Sequence, residues 1–207
     1  SIFNRTNQVS DLKQAIQREY LKCASDPVHF MRKYCTIQHP TKGKVKFDLY
    51  PFQEKCLTTF KDNRYNIILK ARQLGISTLS AGYSLWMMLF HNDKNILVIA
   101  TGKETAKNLV TKVRVMYEGL PQWLKTNTEE INKLSIRFAN GSQIKAIASN
   151  ESAGRSEALS LLIIDEAAFI DRIDTIWTAA QQTLSTGGGC IALSTPNGVG
   201  NWFHKQW

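Results

Sequence analysis

The stretch NIILKARQLGIST (residues 66–78) links a short apolar run to the start of an amphipathic segment through a basic loop. The apolar run has the composition of a buried strand, and the helical spacing that follows it predicts a helix from about Thr78 to Phe90. When a strand, a loop and a helix N-terminus follow one another in this way, the N–H groups of the loop and helix can bind phosphate. The stretch therefore points to a phosphate-binding loop in an α/β fold.

This loop matches the phosphate-loop pattern G-x-x-x-x-G-K-[ST] only in part. Gly75 and Ser77 stand where the second glycine and the hydroxyl residue belong, whereas Lys70 replaces the first glycine and Ile76 replaces the usual lysine. Lys70 or Arg72 could supply the missing positive charge from the other end of the loop. Taken alone, the loop is explained better as an ordinary strand-to-helix connection. The predicted nucleotide-binding residues of the loop are Lys70, Ala71, Arg72, Gln73, Leu74, Gly75, Ile76, Ser77 and Thr78.

An acidic pair follows the apolar run LLII at residues 161–164. Asp165 and Glu166 would lie at the carboxyl end of a buried strand, where the ligands of α/β sheets bind. There Asp165, with the Ser77 hydroxyl, would hold Mg²⁺, and Glu166 would orient and deprotonate an attacking water. The alternative is a helix N-cap whose acidic side chains complement the helix dipole. Because the pair lies roughly ninety residues after the candidate phosphate loop, nucleotide hydrolysis is the favoured interpretation.

Three further segments carry groups that a nucleotide site could use. LSTPNG (193–198) ends an apolar run in hydroxyls that could contact the γ-phosphate, although Pro-Asn-Gly also forms ordinary turns. YPFQ (50–53) offers an aromatic ring and the Gln53 amide to an adenine, although its local sequence favours a plain helix start. Arg155, in the polar loop 149–160, could act as an arginine finger or could simply face solvent.

Apolar runs alternate with amphipathic segments from Tyr50 onward. This alternation predicts an α/β fold in three layers, with helices on both faces of a mainly parallel sheet. A β-hairpin is predicted over 134–148, around Asn140-Gly141. The predicted strands are 66–69, 95–100, 161–164 and 190–193, and the predicted helices are 51–60, 78–90, 103–117 and 174–184.

The N-terminal residues predict two helices before this core. Ser10 is a plausible N-cap for the first, and Asp26-Pro27 begins the second. A turn-rich break follows at 39–44. We therefore expect a helical extension over residues 1–45 and a P-loop core that hydrolyses a nucleotide over residues 46–207.

The composition of the 207-residue chain is that of a globular protein, with 43% hydrophobic and 21% charged residues. Its net charge of +9 is concentrated in residues 1–145, where twenty-three Lys and Arg accompany eleven Asp and Glu. Such a surface suits a polyanion, because neutralising phosphates releases counterions, although a solvated basic surface explains the charge equally well. If the partner is DNA, we expect salt-sensitive binding that is independent of base sequence.

The cysteines and the hydropathy pattern indicate the cellular setting. No window reaches the ~18 consecutive apolar residues of a membrane helix, and the first residues lack the pattern of a signal peptide. The four scattered cysteines show no C-x-x-C and no histidine at metal-ligand spacing. We therefore expect a reduced, soluble, intracellular protein without structural zinc. These cysteines are Cys23, Cys35, Cys56 and Cys190.

Taken in order, YPFQ, KARQLGIST, LLIIDEAAF and LSTPNG resemble the motifs of a large terminase ATPase domain, part of the DNA-packaging motor of tailed double-stranded DNA bacteriophages. The resemblance covers about residues 45–207, and four motifs in one order are far more specific than any single one. It implies a three-layer P-loop fold of the additional-strand (ASCE) type that hydrolyses ATP with Mg²⁺ to translocate double-stranded DNA. It also implies a portal protein and a small terminase subunit as partners. A roughly pentameric ring on the procapsid portal, in the host cytoplasm and away from membranes, is the implied setting.

The resemblance also implies roles for individual residues. Gln53 would belong to the adenine motif and residues 70–78 to a deviant Walker A loop. Asp165 would be the metal residue and Glu166 the catalytic base. The coupling motif that links hydrolysis to DNA movement would be Ser194, Thr195 and Pro196.

The resemblance leaves two choices between residues open, and the chain differs from the family's usual pattern at two points. Either Lys70 or Arg72 could contact the β- and γ-phosphates, and either Arg72 within its own subunit or Arg155 on a neighbour could be the arginine finger. Ile76 departs from the lysine that many terminases carry there. Family members normally continue into a nuclease domain, and this chain shows no cluster of acidic ligands for one, so we expect no DNA cleavage. The alternatives are a helicase-type translocase and a catalytically silent DNA-binding module that kept a degraded loop.

Overall fold

A computed structural model of the chain describes residues 2–69, 75–149, 158–185 and 187–195. The described helices are α1 (Ile2–Ser25), α2 (Pro27–Tyr34), α3 (Pro51–Asp62), α4 (Ile76–Phe90), α5 (Lys103–Glu118) and α6 (Ile173–Leu184). The described strands are β1 (Thr36–His39), β2 (Gly43–Lys46), β3 (Tyr65–Leu69), β4 (Asn95–Ala100), β5 (Thr128–Ile131), β6 (Ser135–Phe138), β7 (Gln143–Ala148), β8 (Leu161–Asp165) and β9 (Gly189–Ser194). Short 3₁₀ turns lie at Gln122–Leu124 and Ala167–Phe169.

A seven-stranded sheet in the order β3-β9-β8-β4-β7-β6-β5 forms the centre of the fold. Strands β3, β9, β8, β4 and β7 run parallel, while β6 and β5 are antiparallel additions. Strand β9 lies between β3, which leads into the phosphate-loop candidate, and β8, which carries the acidic pair. This inserted strand is the defining feature of the additional-strand topology, so the predicted fold class is confirmed.

Helices cover both faces of the sheet, as predicted. Strand β8 shows the reason, because its side chains alternate between two separate cores. Leu161 and Ile163 face the core that contains α4 and α5, whereas Leu162 and Ile164 face the core that contains α6. The strand is apolar on both faces and fully buried, so only its carboxyl end is left to carry polar chemistry.

The N-terminal helices pack into the same core as α4. Phe30 and Met31 of α2 are fully buried there, and Trp86 Nε1 donates a hydrogen bond of 2.8 Å to the Cys23 carbonyl. Gly82 permits this packing, since a Cβ at that position would collide with the Met31 side chain. The boundary near residue 45 stays a prediction.

Several predicted elements differ from the structure at their ends. The expectation that Ser10 caps the first helix is wrong, because α1 begins at Ile2; the polar residues before Ser10 include no helix breaker. Helix α4 begins at Ile76 rather than Thr78, since Gly75 adopts the left-handed conformation before it. Strand β3 is half-exposed rather than buried, because it lies at the end of the described sheet.

Three strands, β1, β2 and β5, were not predicted from the sequence. Residues 39–44 do contain the predicted turn, but it joins β1 to β2 in a two-stranded hairpin. Strand β5, which pairs with β6 of the predicted hairpin, was missed because its TEEI sequence is exposed at all four positions. Strand identity there comes from pairing and not from hydrophobic pattern. No described helix is long and apolar enough to cross a membrane.

A hydrogen-bonded cluster around Glu19 joins α1 to α2. Glu19 Oε1 lies 2.7 Å from His29 Nε2, accepts a hydrogen bond of 2.8 Å from the Tyr34 hydroxyl, and lies 3.1 Å from Lys33 Nζ. The hydrogen bonds from His29 and Tyr34 lower the pKa of Glu19 to about 2. The carboxylate is therefore held ionised in the folded state, and it fastens the two helices together.

We expect Glu19→Gln to destabilise the protein by about 1–3 kcal/mol near neutral pH, because it removes the charged acceptor of these hydrogen bonds. The folded pKa lies below the ordinary value of 4.5. The contribution is therefore complete above about pH 5 and is lost as the pH falls toward 2. Urea unfolding of parent and variant at several pH values measures the difference. Asp11→Asn, exposed on the same helix, is the control, and a difference that grows on acidification would contradict the account.

Candidate nucleotide-binding site

The carboxyl ends of three adjacent strands define the site. Leu69, the last residue of β3, pairs with Ser194 at the end of β9, and Leu193 pairs with Asp165 at the end of β8. Three sequence motifs that lie far apart along the chain are thereby brought to one edge of the sheet. This edge is where α/β sheets bind their ligands.

Ser77 and Asp165 meet directly at this edge. The Ser77 hydroxyl, in the first turn of α4, donates a hydrogen bond of 3.2 Å to Asp165 Oδ2. Asp165 is buried, with 5% of its surface exposed. A buried carboxylate is costly unless polar groups compensate it. Two groups do so here, because the Ser77 hydroxyl and the Glu166 N–H both donate hydrogen bonds to Asp165.

Glu166 is placed by an unusual backbone conformation. It has φ 54° and ψ 41°, the left-handed region that costs a non-glycine residue about 1–2 kcal/mol. Its N–H donates to Asp165 Oδ1 at 2.9 Å, and its side chain is half-buried. The strained turn sends the chain away from the strand immediately after the acidic pair. Such strain is found preferentially at functional sites.

The start of α4 is built around Gly75. This residue has φ 65°, and its carbonyl accepts the first helical hydrogen bond, from Leu79 N at 2.9 Å. A Cβ at Gly75 would lie only 2.9 Å from Gln53 Nε2, so the Gln53 amide sits directly against the loop. Gln53 is 2% exposed, and its Oε1 accepts from Tyr50 N at 2.9 Å. The structure thus places Gln53 beside the start of α4, and its role in adenine binding stays a prediction.

Ser194 links β9 to the turn after the acidic pair. Its hydroxyl accepts a hydrogen bond from Ala168 N at 3.2 Å and donates one of 2.8 Å to the Thr195 carbonyl. Ser194 is fully buried and Thr195 is half-buried. The hydroxyl therefore joins the candidate coupling motif to the segment that carries Glu166. The hydrogen bond from the Ala168 N–H to Ser194 was not predicted, because no sequence pattern marks a backbone donor.

Tyr50 and Phe52 form an exposed pair of aromatic rings beside Gln53. Their ring centroids are 6.2 Å apart and their planes differ by 7°. Tyr50 is 66% exposed, so a flat ligand could reach its ring. The sequence analysis favoured a plain helix start here, and α3 does begin at Pro51. The rings and the amide nevertheless lie together at the edge of the loop.

Not every predicted site residue contributes its side chain to this edge. Ile76 is 2% exposed and lies in the core with α4, so only its backbone is available to a ligand. Thr78 is half-buried in the first turn of α4. The predicted residues Lys70, Ala71, Arg72, Gln73, Leu74, Arg155 and Pro196 lie outside the described residues.

The donor set at the edge suits a magnesium ion. A carboxylate and a hydroxyl oxygen already lie together at Asp165 and Ser77, and oxygen is the ligand type that Mg²⁺ prefers. A Mg²⁺ ion commonly keeps several waters and binds one or two protein groups together with phosphates. Two protein oxygens at the start of a helix are therefore a fitting partial set.

A cavity of about 500 Å³ lies at the other end of the strands, opposite the candidate site. Its lining includes Arg64, Lys94 and Ser160, which immediately precede β3, β4 and β8. It therefore lies at the amino ends of the strands. The convergence of Ser77, Asp165 and Glu166, and not cavity size, identifies the site.

The additional-strand sheet, the glycine-initiated helix and the Ser77–Asp165 contact together define a P-loop NTPase fold. Residues 67–207 match the family described as terminase large subunit, T4likevirus-type, N-terminal. The chain belongs to this family of large terminase subunits, so the predicted resemblance is confirmed.

Solved structures show the same fold. The chain is similar to the large terminase ATPase domain of Thermus phage P74-26, with 20% identity and a TM-score of 0.63 over 77% of this chain and 69% of that one. The HK97 bacteriophage large terminase matches with 19% identity and a TM-score of 0.66, over 83% of this chain and 37% of that one. A large terminase from a thermophilic bacteriophage, in complex with ATP-γ-S, matches with 17% identity and a TM-score of 0.60, over 77% and 41%. The chain thus spans less than half of these two longer terminases.

Proposed function

We propose that the chain is a Mg²⁺-dependent ATPase, the motor domain of a viral large terminase, and that it uses hydrolysis to move double-stranded DNA into a procapsid. The observation that carries the proposal is the hydrogen bond from Ser77 to Asp165. It joins a hydroxyl at the start of the loop helix to a carboxylate 88 residues further along the chain. Family membership and the ATP-γ-S complex of a similar large terminase support the nucleotide.

Ser77 and Asp165 would hold the magnesium ion. When bound, the ion would neutralise charge on the β- and γ-phosphate oxygens and orient them for in-line attack. Asp165 would suit this role because it ends β8, a strand whose residues are all buried. The hydrogen bond between the two side chains keeps the oxygens close together before the ion binds.

Glu166 would act as the general base. An attacking water needs a nearby carboxylate that accepts its proton as the bond to the γ-phosphorus forms, and Glu166 follows the metal residue directly. Its half-buried side chain would limit competing solvent and remain accessible to an attacking water. Phosphoryl transfer requires little covalent chemistry from the protein, so positioning and charge compensation account for most of the rate.

Positive charge for the phosphates would come from Lys70 or Arg72. Ile76 stands at the usual position of the lysine, and its side chain is buried in the core. The cation would therefore come from the start of the loop. Arg72, or Arg155 of a neighbouring copy, would supply the arginine finger. Gln53, with the exposed Tyr50 and Phe52 rings, would bind the adenine.

Coupling to DNA would pass through Ser194. Its hydroxyl connects β9 to the Ala168 amide, two residues after Glu166. A shift of Glu166 between nucleotide states would therefore reach β9 and the Ser194-Thr195-Pro196 segment. The basic surface of residues 1–145 suits the DNA phosphates. The portal protein, a small terminase subunit and a pentameric ring in the host cytoplasm complete the proposed setting.

Lys70→Ala tests the nucleotide site. Loss of a charged hydrogen bond to phosphate should weaken ATP binding by about ten- to a hundredfold. Equilibrium binding of a fluorescent ATP analogue with Mg²⁺ measures the change. Lys55→Ala, exposed on α3, is the matched control. Arg72→Ala in the same assay shows which cation binds: a large loss in Lys70→Ala alone assigns the phosphates to Lys70, and equal affinity in all four proteins would contradict the proposal.

A further inference from the structure

Three side chains with different metal-binding atoms converge where α1 meets α2. Glu19 and Cys23 lie one turn apart on α1, and His29 lies on α2. A carboxylate oxygen, the Cys23 Sγ and a His29 ring nitrogen all lie within 4.8 Å of one another. Nothing in the candidate nucleotide site uses these residues, so the cluster needs its own explanation.

The Cys23 thiol is the part of the cluster that hydrogen bonding does not explain. Glu19 and His29 are bonded to each other at 2.7 Å, and Tyr34 donates to Glu19. Cys23 is fully buried, and within the described part of the chain its thiol makes no hydrogen bond.

We propose that Glu19, Cys23 and His29 bind a zinc ion that fastens α1 to α2. Zinc takes sulfur, imidazole nitrogen and carboxylate oxygen together, and a set of three protein ligands leaves a fourth position for water. Ligand atoms of one tetrahedral zinc ion lie about 3.3–3.6 Å apart. The three atoms all lie within 4.8 Å of one another, so side-chain movements of about an ångström would bring them to that geometry. The proposal departs from the expectation of no structural zinc. That expectation was based on motif spacing, which could not predict this site, because the ligands come from two helices with five residues between Cys23 and His29.

Binding would exchange one set of contacts for another. The Cys23 S–H bond breaks, a sulfur–zinc bond forms, and the proton goes to solvent. The hydrogen bond between His29 and Glu19 is lost, the proton of that His29 ring nitrogen moves to the other ring nitrogen, and the freed nitrogen and the Glu19 carboxylate both bind the ion. Lys33, whose side chain is 52% exposed, moves from Glu19 into water. Tyr34 can keep its hydrogen bond to Glu19 and so orient the carboxylate. Because a proton is released, affinity should rise with pH.

The position gives the ion a structural role. The first half of α1, residues 2–15, is exposed. Its C-terminal half is held by a few contacts: the Tyr20 ring lies 5.1 Å from that of Phe90, and the Cys23 carbonyl binds Trp86. A zinc ion at Glu19, Cys23 and His29 would anchor the helix at its base. The long exposed part would then project from a fixed point.

Cobalt titration of the reduced full chain tests the proposal, because Co²⁺ bound by a thiolate gives a charge-transfer absorption band. We expect this band in the parent chain, its displacement by Zn²⁺, and a rise in the thermal unfolding midpoint on adding Zn²⁺. Cys23→Ser should abolish the band. Cys56→Ser, which changes a half-buried cysteine on α3, should retain it. ATP is not required, so the result is independent of the proposed function.

His29→Gln keeps the test decisive if Cys23→Ser fails to fold. This variant retains the thiol and should bind Co²⁺ at least about tenfold more weakly than the parent. Absence of the band in the parent chain, or an unchanged band in Cys23→Ser, would overturn the proposal. Unchanged affinity in His29→Gln would do so as well.

Discussion

Glu166→Gln is expected to lower the rate of ATP hydrolysis about 10²–10⁴-fold while leaving ATP binding nearly unchanged. Glutamine has the size and shape of glutamate but cannot accept the proton of the attacking water. The left-handed backbone at this residue is equally strained with either side chain, so the fold should be unaffected. Steady-state hydrolysis and equilibrium ATP binding on the same preparations separate the two effects.

Asp171→Asn is the matched control for this prediction. Asp171 is an exposed acidic residue five positions after Glu166, and its replacement makes the same change in net charge. The control should hydrolyse ATP at the parent rate. If Glu166→Gln retains more than about half of the parent rate, the base lies elsewhere, and the residue serves as a turn rather than in catalysis.

Asp165→Asn is expected to remove the magnesium dependence of nucleotide binding and to reduce hydrolysis by more than about a hundredfold, since a metal ion contributes several kcal/mol to such a reaction. The amide oxygen can still accept the hydrogen bond from Glu166 N, and the amide NH2 group can donate to the Ser77 hydroxyl, so the local structure should persist. The negative charge that would hold the ion is lost. ATP binding with Mg²⁺ and with EDTA, measured for both proteins, gives the dependence directly.

Asp174→Asn controls for the lost charge. Asp174 is exposed in the first turn of α6, away from the contact with Ser77. It should bind ATP with the same magnesium dependence as the parent chain. An Asp165→Asn protein that binds ATP more tightly with Mg²⁺ than with EDTA, as the parent does, would show that the ion is held by other groups.

The sequence predicted the central sheet well because its strands are buried on both faces. LLII at 161–164 and NILVIA at 95–100 are continuous apolar runs, and only a strand covered on both sides has that composition. The order of the strands follows from family resemblance and not from periodicity. The outermost strands of the described sheet were predicted poorly, since β5 has an exposed, charged sequence and β3 is only partly buried.

The residues of the candidate site were predicted from their types and spacing, but the contacts between them were not. The Asp165-Glu166 pair and Ser77 were recognisable from their spacing to an apolar strand and a glycine. Their approach to 3.2 Å, the position of Gln53 against Gly75, and the bond from Ala168 to Ser194 depend on how elements far apart in sequence pack. Ile76 illustrates the limit, because its place in the loop suggested a ligand contact while its apolar side chain is drawn into the core.

The cluster of Glu19, Cys23 and His29 was missed for the same reason. None of the three residues has a distinctive neighbourhood in the sequence. The junction between α1 and α2, which separates Cys23 from His29, does not match a metal-binding motif. Asp26 caps α2 by accepting hydrogen bonds from Val28 N and His29 N, and this cap sets the direction in which His29 leaves the helix. The proximity therefore follows from the angle between two helices, which spacing along the chain does not encode.

Steady-state ATP hydrolysis by the unmodified chain, with ATP binding measured on the same sample, shows directly whether the chain is an ATPase. We expect Mg²⁺-dependent binding and turnover that stops when EDTA is added. Tight binding without turnover would place the missing group on a neighbouring copy and leave the nucleotide site intact. Failure to bind ATP at all, by a chain that is folded and still binds DNA, would contradict the account and identify a silent DNA-binding module.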